Sequence, residues 1–165
     1  MKNLETINFC QVSLIGNIDL ILKNYHQLKR FYQNIKIYVI CPSKELNFFK
    51  DALIYDEIEI IDENELISKD NFKEIYLSTS KTINYHLEFT KRLDWYYQQV
   101  LKISFAMNFI KKNNKNIIIW DADTIIIKKI NFFKEKRSIQ YGTFNEFHNQ
   151  YYTTNNEILK ILPKY

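Results

Sequence analysis

The sequence has very little glycine. Only Gly16 and Gly142 occur among its 165 residues. A dinucleotide-binding turn or a P-loop needs several glycines at close spacing, because its backbone must approach the phosphates. This chain can form neither loop, so any phosphate group that it binds must be held in another way.

Cysteine and long apolar runs are also scarce. Cys10 and Cys41 lie in apolar segments without the C-x-x-C spacing of a zinc site, so we expect two reduced thiols in the core. No segment approaches the ~18 apolar residues of a membrane-spanning helix. The N-terminal segment has polar residues where a signal peptide requires an unbroken apolar stretch. We therefore expect a cytoplasmic location, with peripheral association at the inner face of the membrane.

The composition is that of a globular protein. Hydrophobic residues make up 46% and charged residues 25% of the chain, and the net charge is +4, which excludes a disordered chain. Positive charge is concentrated only between Lys128 and Arg137, and such a run is typical of a solvated face. No linker or internal repeat divides the chain. We therefore predict one domain over residues 1–165 and no nucleic-acid partner.

Strand-like and helix-like segments alternate along the chain. The predicted strands are Ile7–Ile15, Ile35–Pro42, Glu57–Ile61, Asn116–Trp120 and Ser138–Glu146. The predicted helices are Ile18–Tyr32, Ser43–Ala52 and Arg92–Asn114. The polar segment Asp70–Thr90 has no clear period, and we expect a loop there, with room for one short strand. This alternation predicts an α/β fold with a mostly parallel sheet covered on both faces.

The helix predicted over Arg92–Asn114 has the clearest pattern. Its apolar residues recur at helical spacing, which predicts one buried stripe. The members of this predicted stripe are Tyr96, Val100, Ile103, Met107 and Ile110.

Two aspartates follow the apolar strand predicted over Asn116–Trp120. Residues i and i+2 of an extended segment point to the same side, so we expect the carboxylates of Asp121 and Asp123 to lie side by side. We also expect the strand to be central and fully buried, with strand structure resuming at Thr124. Ligands of open α/β sheets bind at the carboxyl ends of the strands. The alternative is that the pair caps a turn, as aspartate often does.

Two neighbouring carboxylates need a positive charge. At ~4 Å and an effective dielectric constant of about 20, their repulsion is on the order of 4 kcal/mol. Carboxylate oxygens with open water positions suit Mg²⁺ or Mn²⁺. Such an ion can bridge to a diphosphate, which would explain why no glycine-rich loop is present.

Two segments of the chain resemble the GT-A glycosyltransferases, which use nucleotide-sugar donors. They are RLDWYYQQVLK, residues 92–102, and WDADT, residues 120–124. The resemblance is to bacterial members that assemble capsule or lipopolysaccharide. It implies a GT-A-like (Rossmann-like) sheet and metal-dependent transfer of a sugar to a glycan or lipid-linked acceptor. The implied cofactor is Mn²⁺ or Mg²⁺, and the implied donor is a nucleotide-diphosphate sugar.

The resemblance also implies roles for single residues. Asp121 would contact the ribose or a metal-bound water, and both Asp121 and Asp123 are expected at the metal. Gln98 and Lys102 share one helical face with Asp94, because they are spaced four residues apart. We expect Lys102 on a phosphate and Gln98 or Gln99 on the sugar.

Further contacts to the donor are expected from three other side chains. Ser13 and Asp19 follow the first strand and are expected near the base or ribose. Arg92 is expected to clamp a phosphate. Trp95 is expected to pack against other side chains and not to stack on the sugar.

The chain is shorter than most GT-A enzymes. It ends at NNEILKILPKY, residues 155–165, within an amphipathic segment. We therefore expect the C-terminal part to be incomplete and to lack part of the acceptor site, and no catalytic base is singled out.

Two other functions fit the same residues. A magnesium-dependent phosphatase of the HAD type also places D-x-D after a strand, although a strand resuming at Thr124 would disfavour it. The other is a non-catalytic partner domain, for which the aromatic C-terminal segment would supply the contact surface.

Overall fold

The computed structural model describes residues 6–80, 92–134 and 137–138. The chain divides into two compact units, Met1–Lys129 and Ile130–Tyr165. In the second unit, strands β5 (Phe133–Lys134) and β6 (Arg137–Ser138) form an antiparallel pair. Only the first residue of the strand predicted over Ser138–Glu146 is described. The prediction of one domain over residues 1–165 stays a prediction.

The first unit is built around a parallel sheet. Its strands are β1 (Ile7–Val12), β2 (Ile35–Cys41), β3 (Ile58–Asp62) and β4 (Ile118–Ile119). Their order is β3-β2-β1-β4, and each neighbouring pair is parallel. The helices are α1 (Ile18–Phe31), α2 (Leu46–Ala52), α3 (Lys69–Ser80) and α4 (Leu93–Asn113). The predicted α/β fold with a parallel sheet and flanking helices is therefore confirmed.

The strands bury side chains on both faces of the sheet. Cys10 and Ile40 belong to one core cluster with residues of α3 and α4, such as Tyr76 and Leu101. Successive strand residues point to opposite faces, so Phe9, which is fully buried, covers the other face. The helix predicted over Ile18–Tyr32 is confirmed as α1, which buries Ile21, Tyr25 and Leu28 on one face.

A helix occupies part of the segment predicted to be a loop. Helix α3 spans Lys69–Ser80, whereas residues 81–91 lie outside the described residues. Phe72 and Tyr76, spaced four residues apart, are its buried residues within 69–76. The ring centroids of Phe72 and Tyr97 lie 5.3 Å apart. The loop prediction was wrong because tertiary contacts of two aromatic rings stabilise a helix whose own sequence has a weak pattern.

Helix α4 has the predicted length but buries a different stripe. Tyr97, Leu101, Ala106 and Phe109 are buried, whereas Ile103, Met107 and Ile110 are 51%, 67% and 49% exposed. The helix is apolar on two faces, so helical spacing alone permits either stripe. Packing on the sheet selects the first, since the Tyr38 ring of β2 lies 5.2 Å from the rings of both Phe105 and Phe109.

Strand β4 is shorter and more exposed than predicted. It contains two residues, and Ile119 is 46% exposed. Within the described residues it is the last strand of the sheet and lies beside β1. The predicted full burial was therefore wrong, whereas the central position stays a prediction. None of the described helices combines the length and the apolar character that crossing a bilayer requires.

Candidate functional site

The direction of strand addition reverses between β1 and β4. From β1 the chain adds β2 and then β3 on one side, and it returns to place β4 on the other. A crevice forms outside the carboxyl ends of parallel strands at such a switch point, and ligands of open α/β sheets bind there. The segments after β1 and after β4, which begin with Ser13 and Trp120, therefore reach the same edge of the sheet.

A cavity of about 340 Å³ lies at this switch point. Its walls come from the segment after β1, the N-terminal half of α4 and the segment after β4. Of the eight side chains predicted to bind the donor or the metal, six line it. These six are Ser13, Gln98, Gln99, Lys102, Asp121 and Asp123.

The other two predicted residues do not line the cavity. Asp19 lies exposed in the first turn of α1, and Arg92 lies exposed at the N-terminal cap of α4. Trp95, which was expected to pack and not to stack on the sugar, contacts the Tyr96 ring edge-on, with ring centroids 4.9 Å apart. It is also 54% exposed and lines the cavity, so its role toward a sugar stays untested.

The two aspartates lie in a tight turn and not in an extended segment. The amide of Thr124 donates to the Asp121 carbonyl oxygen at 3.0 Å, and the Trp120 indole donates to the Thr124 carbonyl oxygen at 2.7 Å. Residues 124–127 form no strand. The extended geometry was therefore predicted wrongly, because β4 is too short to continue through the pair. Asp121 and Asp123 are both exposed, with buried Ala122 between them.

Lys102 supplies the positive charge that the carboxylates require. Its ammonium donates to Asp121 Oδ1, and its side chain is only 6% exposed against 61% for Asp121. A sequence pattern does not indicate this pair, since the residues are 19 positions apart. Among the described residues, Asp121 is the only hydrogen-bond partner found for the Lys102 ammonium, and none is found for the Asp123 carboxylate.

The oxygen atoms of Asp121 and Asp123 supply some of the ligands that a hard divalent cation needs. Asp123 offers two carboxylate oxygens and Asp121 offers Oδ2, while Oδ1 of Asp121 is held by Lys102. No cluster of three or more acidic, histidine or cysteine side chains with metal-binding geometry exists within residues 6–80, 92–134 and 137–138. Mg²⁺ and Mn²⁺ commonly keep several waters and bind through one or two carboxylates together with substrate phosphates. The two aspartates therefore fit a divalent ion that binds together with an anionic ligand.

A second cavity, of about 510 Å³, adjoins the first. Val12, Ser13, Leu14 and Gln98 contribute to both. Glu63 and Tyr97 also line it, as do Lys69 and Asp94, whose charged groups are 2.8 Å apart. Burial raises the pKa of Glu63 above its ordinary value of 4.5. The sequence did not indicate Glu63, Lys69 or Tyr97, because they follow β3 or lie in helices whose facing sides depend on the fold.

The segment after β1 is fixed by the segment after β2. The amide of Ile15 donates to Glu45 Oε2 at 2.8 Å, and the amide of Ser13 donates to the Ile40 carbonyl oxygen at 3.0 Å. Ser13 is 2% exposed, and its hydroxyl donates to the Leu14 carbonyl oxygen at 3.3 Å. These hydrogen bonds therefore fix the backbone of the wall that the two cavities share.

The fold and the site define an α/β protein with a four-stranded parallel sheet and a polar crevice at its switch point. Residues 12–165 match a protein family described as "Family of unknown function (DUF6492)", and the chain belongs to that family. No curated protein and no solved structure matches the chain. Family membership therefore assigns no activity, and the chemistry of the crevice is the basis for one.

Proposed function

We propose that the chain is a metal-dependent glycosyltransferase that uses a nucleotide-diphosphate sugar. The observation that carries this proposal is the convergence of Lys102, Asp121 and Asp123 on one cavity at the switch point. The acceptor would be a glycan or lipid-linked sugar of a surface polysaccharide. The role fits the scarcity of glycine, because cation and lysine would hold the diphosphate without a glycine-rich loop.

The size of the crevice supports a ligand with two parts. Small-molecule sites commonly have volumes of about 300–1,000 Å³, and the cavities of about 340 and 510 Å³ share one wall. The diphosphate and sugar would occupy the cavity that contains Lys102 and the aspartates. The nucleoside would occupy the larger cavity, where the buried Tyr97 offers an aromatic surface and Ser13 lies at the boundary.

Asp123 and the free oxygen of Asp121 would hold Mn²⁺ or Mg²⁺. When bound, the ion neutralises the diphosphate and stabilises the charge that builds on it as the bond to the sugar breaks. Lys102 would add a second positive charge from the protein itself. Because its side chain is shielded from water, its attraction to a phosphate is stronger than that of an exposed lysine. Gln98 and Gln99 lie one helical turn away and would orient the sugar by hydrogen bonds.

Isothermal titration calorimetry with UDP and GDP, in the presence and absence of Mn²⁺, tests the proposal. We expect binding that depends on Mn²⁺ and that falls at least about tenfold in the Asp123→Asn protein, since lost ligand contacts at metal sites commonly cost that much. Asp51→Asn, which changes an exposed carboxylate on α2, is the matched control. Undiminished binding by Asp123→Asn would count against the proposal, as would binding that ignores Mn²⁺.

A HAD-type phosphatase is the second candidate, and one observation favours it. The expected strand at Thr124 would have disfavoured this function, but a turn follows Asp121 instead. In that case one aspartate would attack a phosphoryl group and carry it covalently. Incubation with a phosphoryl donor followed by intact-protein mass spectrometry distinguishes the two, since a phosphoenzyme adduct belongs only to the phosphatase.

A further inference from the structure

Lys102 is the most constrained charged group of the crevice. Its side chain is 6% exposed, and its ammonium donates to Asp121 Oδ1. An ammonium has three N–H donors, and Asp121 is its only acceptor found within the described part of the chain. A buried charge with unused donors is stabilised by any anion that can reach it. Lys102 lines the cavity, so an anionic ligand there has direct access to it.

The same ion pair opposes metal binding at Asp121. A divalent cation on this carboxylate would lie next to the buried ammonium, and like charges repel at short distance. A diphosphate removes the conflict because its oxygens can accept from Lys102 while the cation takes the carboxylate. The free protein is therefore arranged against the metal alone and in favour of the metal together with a diphosphate.

We propose that Lys102 couples the two ligands by exchanging partners, from Asp121 in the free protein to the diphosphate when the metal binds. This inference rests on the proposed function and deepens it, since it makes Lys102 the residue that weakens metal binding without donor. Coupling is reciprocal, so the metal must also raise the affinity for the diphosphate by the same factor.

The test measures Mn²⁺ affinity by electron paramagnetic resonance, with and without inorganic pyrophosphate, in the wild-type and Lys102→Met proteins. The Mn²⁺–pyrophosphate complex that forms in buffer alone is measured separately. For the wild type we expect pyrophosphate to tighten Mn²⁺ binding by about tenfold or more, within the usual range of coupling between sites. For Lys102→Met we expect tighter binding of Mn²⁺ alone and a coupling factor clearly smaller than in the wild type, since only the direct contact between ion and diphosphate remains.

A merely structural lysine would not give that gain in metal affinity. Lys102→Arg keeps the positive charge and should retain weak binding of Mn²⁺ alone, and Lys23→Met on the exposed side of α1 controls for loss of a lysine elsewhere. If Mn²⁺ binds equally to the wild type and to Lys102→Met, the coupling role is wrong and the proposed function stands. If the wild type binds no Mn²⁺ under either condition, metal dependence itself fails.

An independent observation concerns the outer face of α4. Ile103, Met107 and Ile110 are spaced by four and three residues and are 51%, 67% and 49% exposed, which makes them a continuous apolar stripe. We call these three residues the α4 stripe. Such a stripe on a solvated helix marks an interaction surface more often than single exposed apolar residues do.

Three exposed lysines follow the α4 stripe. Lys111 and Lys112 lie in the last turn of α4, and Lys115 follows it. Residues 103–120 contain no aspartate or glutamate, and no ion pair of these lysines is found among the described residues. A second copy whose α4 packed parallel to this one by two-fold symmetry would bring lysines close to lysines. An apolar stripe beside unpaired lysines instead fits a surface with apolar chains beneath negative charges.

We infer that the α4 stripe and its lysines bind an anionic membrane surface. Apolar residues of an interfacial helix enter the boundary between headgroups and acyl chains, while lysines pair with anionic headgroups. This contact does not depend on the function of the crevice. It would place the chain at a bilayer without any spanning helix.

Co-sedimentation with phosphatidylcholine vesicles, with and without phosphatidylglycerol, tests this inference. We expect binding only with phosphatidylglycerol, weakened by salt. Each lysine near an anionic surface contributes about 1 kcal/mol, or about fivefold. Lys111 flanks the stripe, whereas Lys112 lies about 140° around the helix from Met107, so Lys111→Glu/Lys112→Glu should weaken binding at least about fivefold. Met107→Gln/Ile110→Gln should weaken it without a change in charge. Lys23→Glu/Lys50→Glu, which makes the same change in net charge on α1 and α2, is the control.

Two results would overturn the inference. One is equal vesicle binding by the α4 charge variant and the control variant, because the contact would then depend on net charge alone. The other is a dimer in analytical ultracentrifugation without vesicles that Met107→Gln/Ile110→Gln abolishes, which would assign the stripe to a second copy.

Discussion

The indole nitrogen of Trp120 donates to the carbonyl oxygen of Thr124 at 2.7 Å and so closes the turn that carries Asp121 and Asp123. The same indole packs edge-on against Phe9 of β1, with ring centroids 6.0 Å apart. Trp120 therefore connects the turn to the sheet. Together with the Lys102 bond to Asp121, this side chain helps to fix the positions of the carboxylates.

Trp120→Phe should preserve the packing and remove the donor. We expect the free energy of unfolding to fall by about 1 kcal/mol, the usual contribution of one hydrogen bond, and Mn²⁺ to bind several-fold more weakly because the turn is less ordered. Urea unfolding and a Mn²⁺ titration check the two effects. For stability, Trp95→Phe is the control because Trp95 is 54% exposed. Equal stability losses in both variants would refute the role of the Trp120 hydrogen bond.

Gln11 and Asn24 carry buried amides without partners. Both side chains are fully buried, and none of their nitrogen and oxygen atoms has a hydrogen-bond partner among the described residues. A buried unpaired polar group costs about 1–3 kcal/mol. We expect Gln11→Met and Asn24→Leu each to raise the free energy of unfolding by about 1 kcal/mol in urea titrations. Asn47→Leu at an exposed site is the control, and a loss of stability in both buried variants would contradict the prediction.

The ionisation of Glu57 makes the free energy of unfolding depend on pH in the acidic range. Hydrogen bonds from Lys29 and Tyr25 lower the pKa of Glu57 below its ordinary value of 4.5, and the Tyr25 bond is 2.9 Å long. Because the pKa is lower in the folded state, this contribution is present above the ordinary value and is lost as the pH falls through the folded value.

The wild-type free energy of unfolding should therefore fall more steeply below about pH 5 than that of Glu57→Gln, the range in which a glutamate begins to titrate. Urea unfolding at a series of pH values measures this difference. Glu74→Gln, on the exposed side of α3, is the control. Parallel curves for the wild type and Glu57→Gln would show that the two hydrogen bonds contribute nothing.

The two cysteines should be unreactive in the folded protein. Burial raises the pKa of Cys10 and of Cys41 from 9.0 to about 12, and both thiols are free and fully buried. We expect slow labelling by a thiol reagent at pH 8 and rapid labelling of both thiols in denaturant. Because these pKa values are raised on folding, stability should fall as the pH rises above 9.0. Rapid labelling of either thiol in the native protein would contradict the prediction.

The sequence was sufficient for much of the sheet. The strands β1 and β2 begin at the predicted residues, Ile7 and Ile35, because dense β-formers leave no helical alternative there. It was not sufficient for α3, where the decisive contact is between Phe72 and Tyr97, 25 positions later in the chain. For α4 the sequence predicted the helix but not its buried face, because packing against β2 decides whether Met107 or Phe109 is buried.

The residues of the candidate site were also predicted only in part. Ser13 and Asp121 were predicted from their positions after strands, and Gln98 from the resemblance of its helix; all three line one cavity. The partner of Lys102 could not be predicted, because an ion pair between α4 and the turn after β4 depends on how closely the two approach. Glu63 and Lys69, in the wall of the second cavity, follow β3, whose path relative to α4 is a property of the folded chain.

Helix α4 is capped by Asn114, whose left-handed φ of 50° lets the chain leave the helix and enter β4. The rest of α4, the reversal at Asn114 and strand β4 make up the 19 positions that separate Lys102 from Asp121. One residue inserted into α4 after Lys102 would rotate everything beyond it by about 100°. The number of residues between Lys102 and Asp121 thus determines whether their charged groups meet. Substitutions within this segment should therefore be tolerated far better than insertions or deletions.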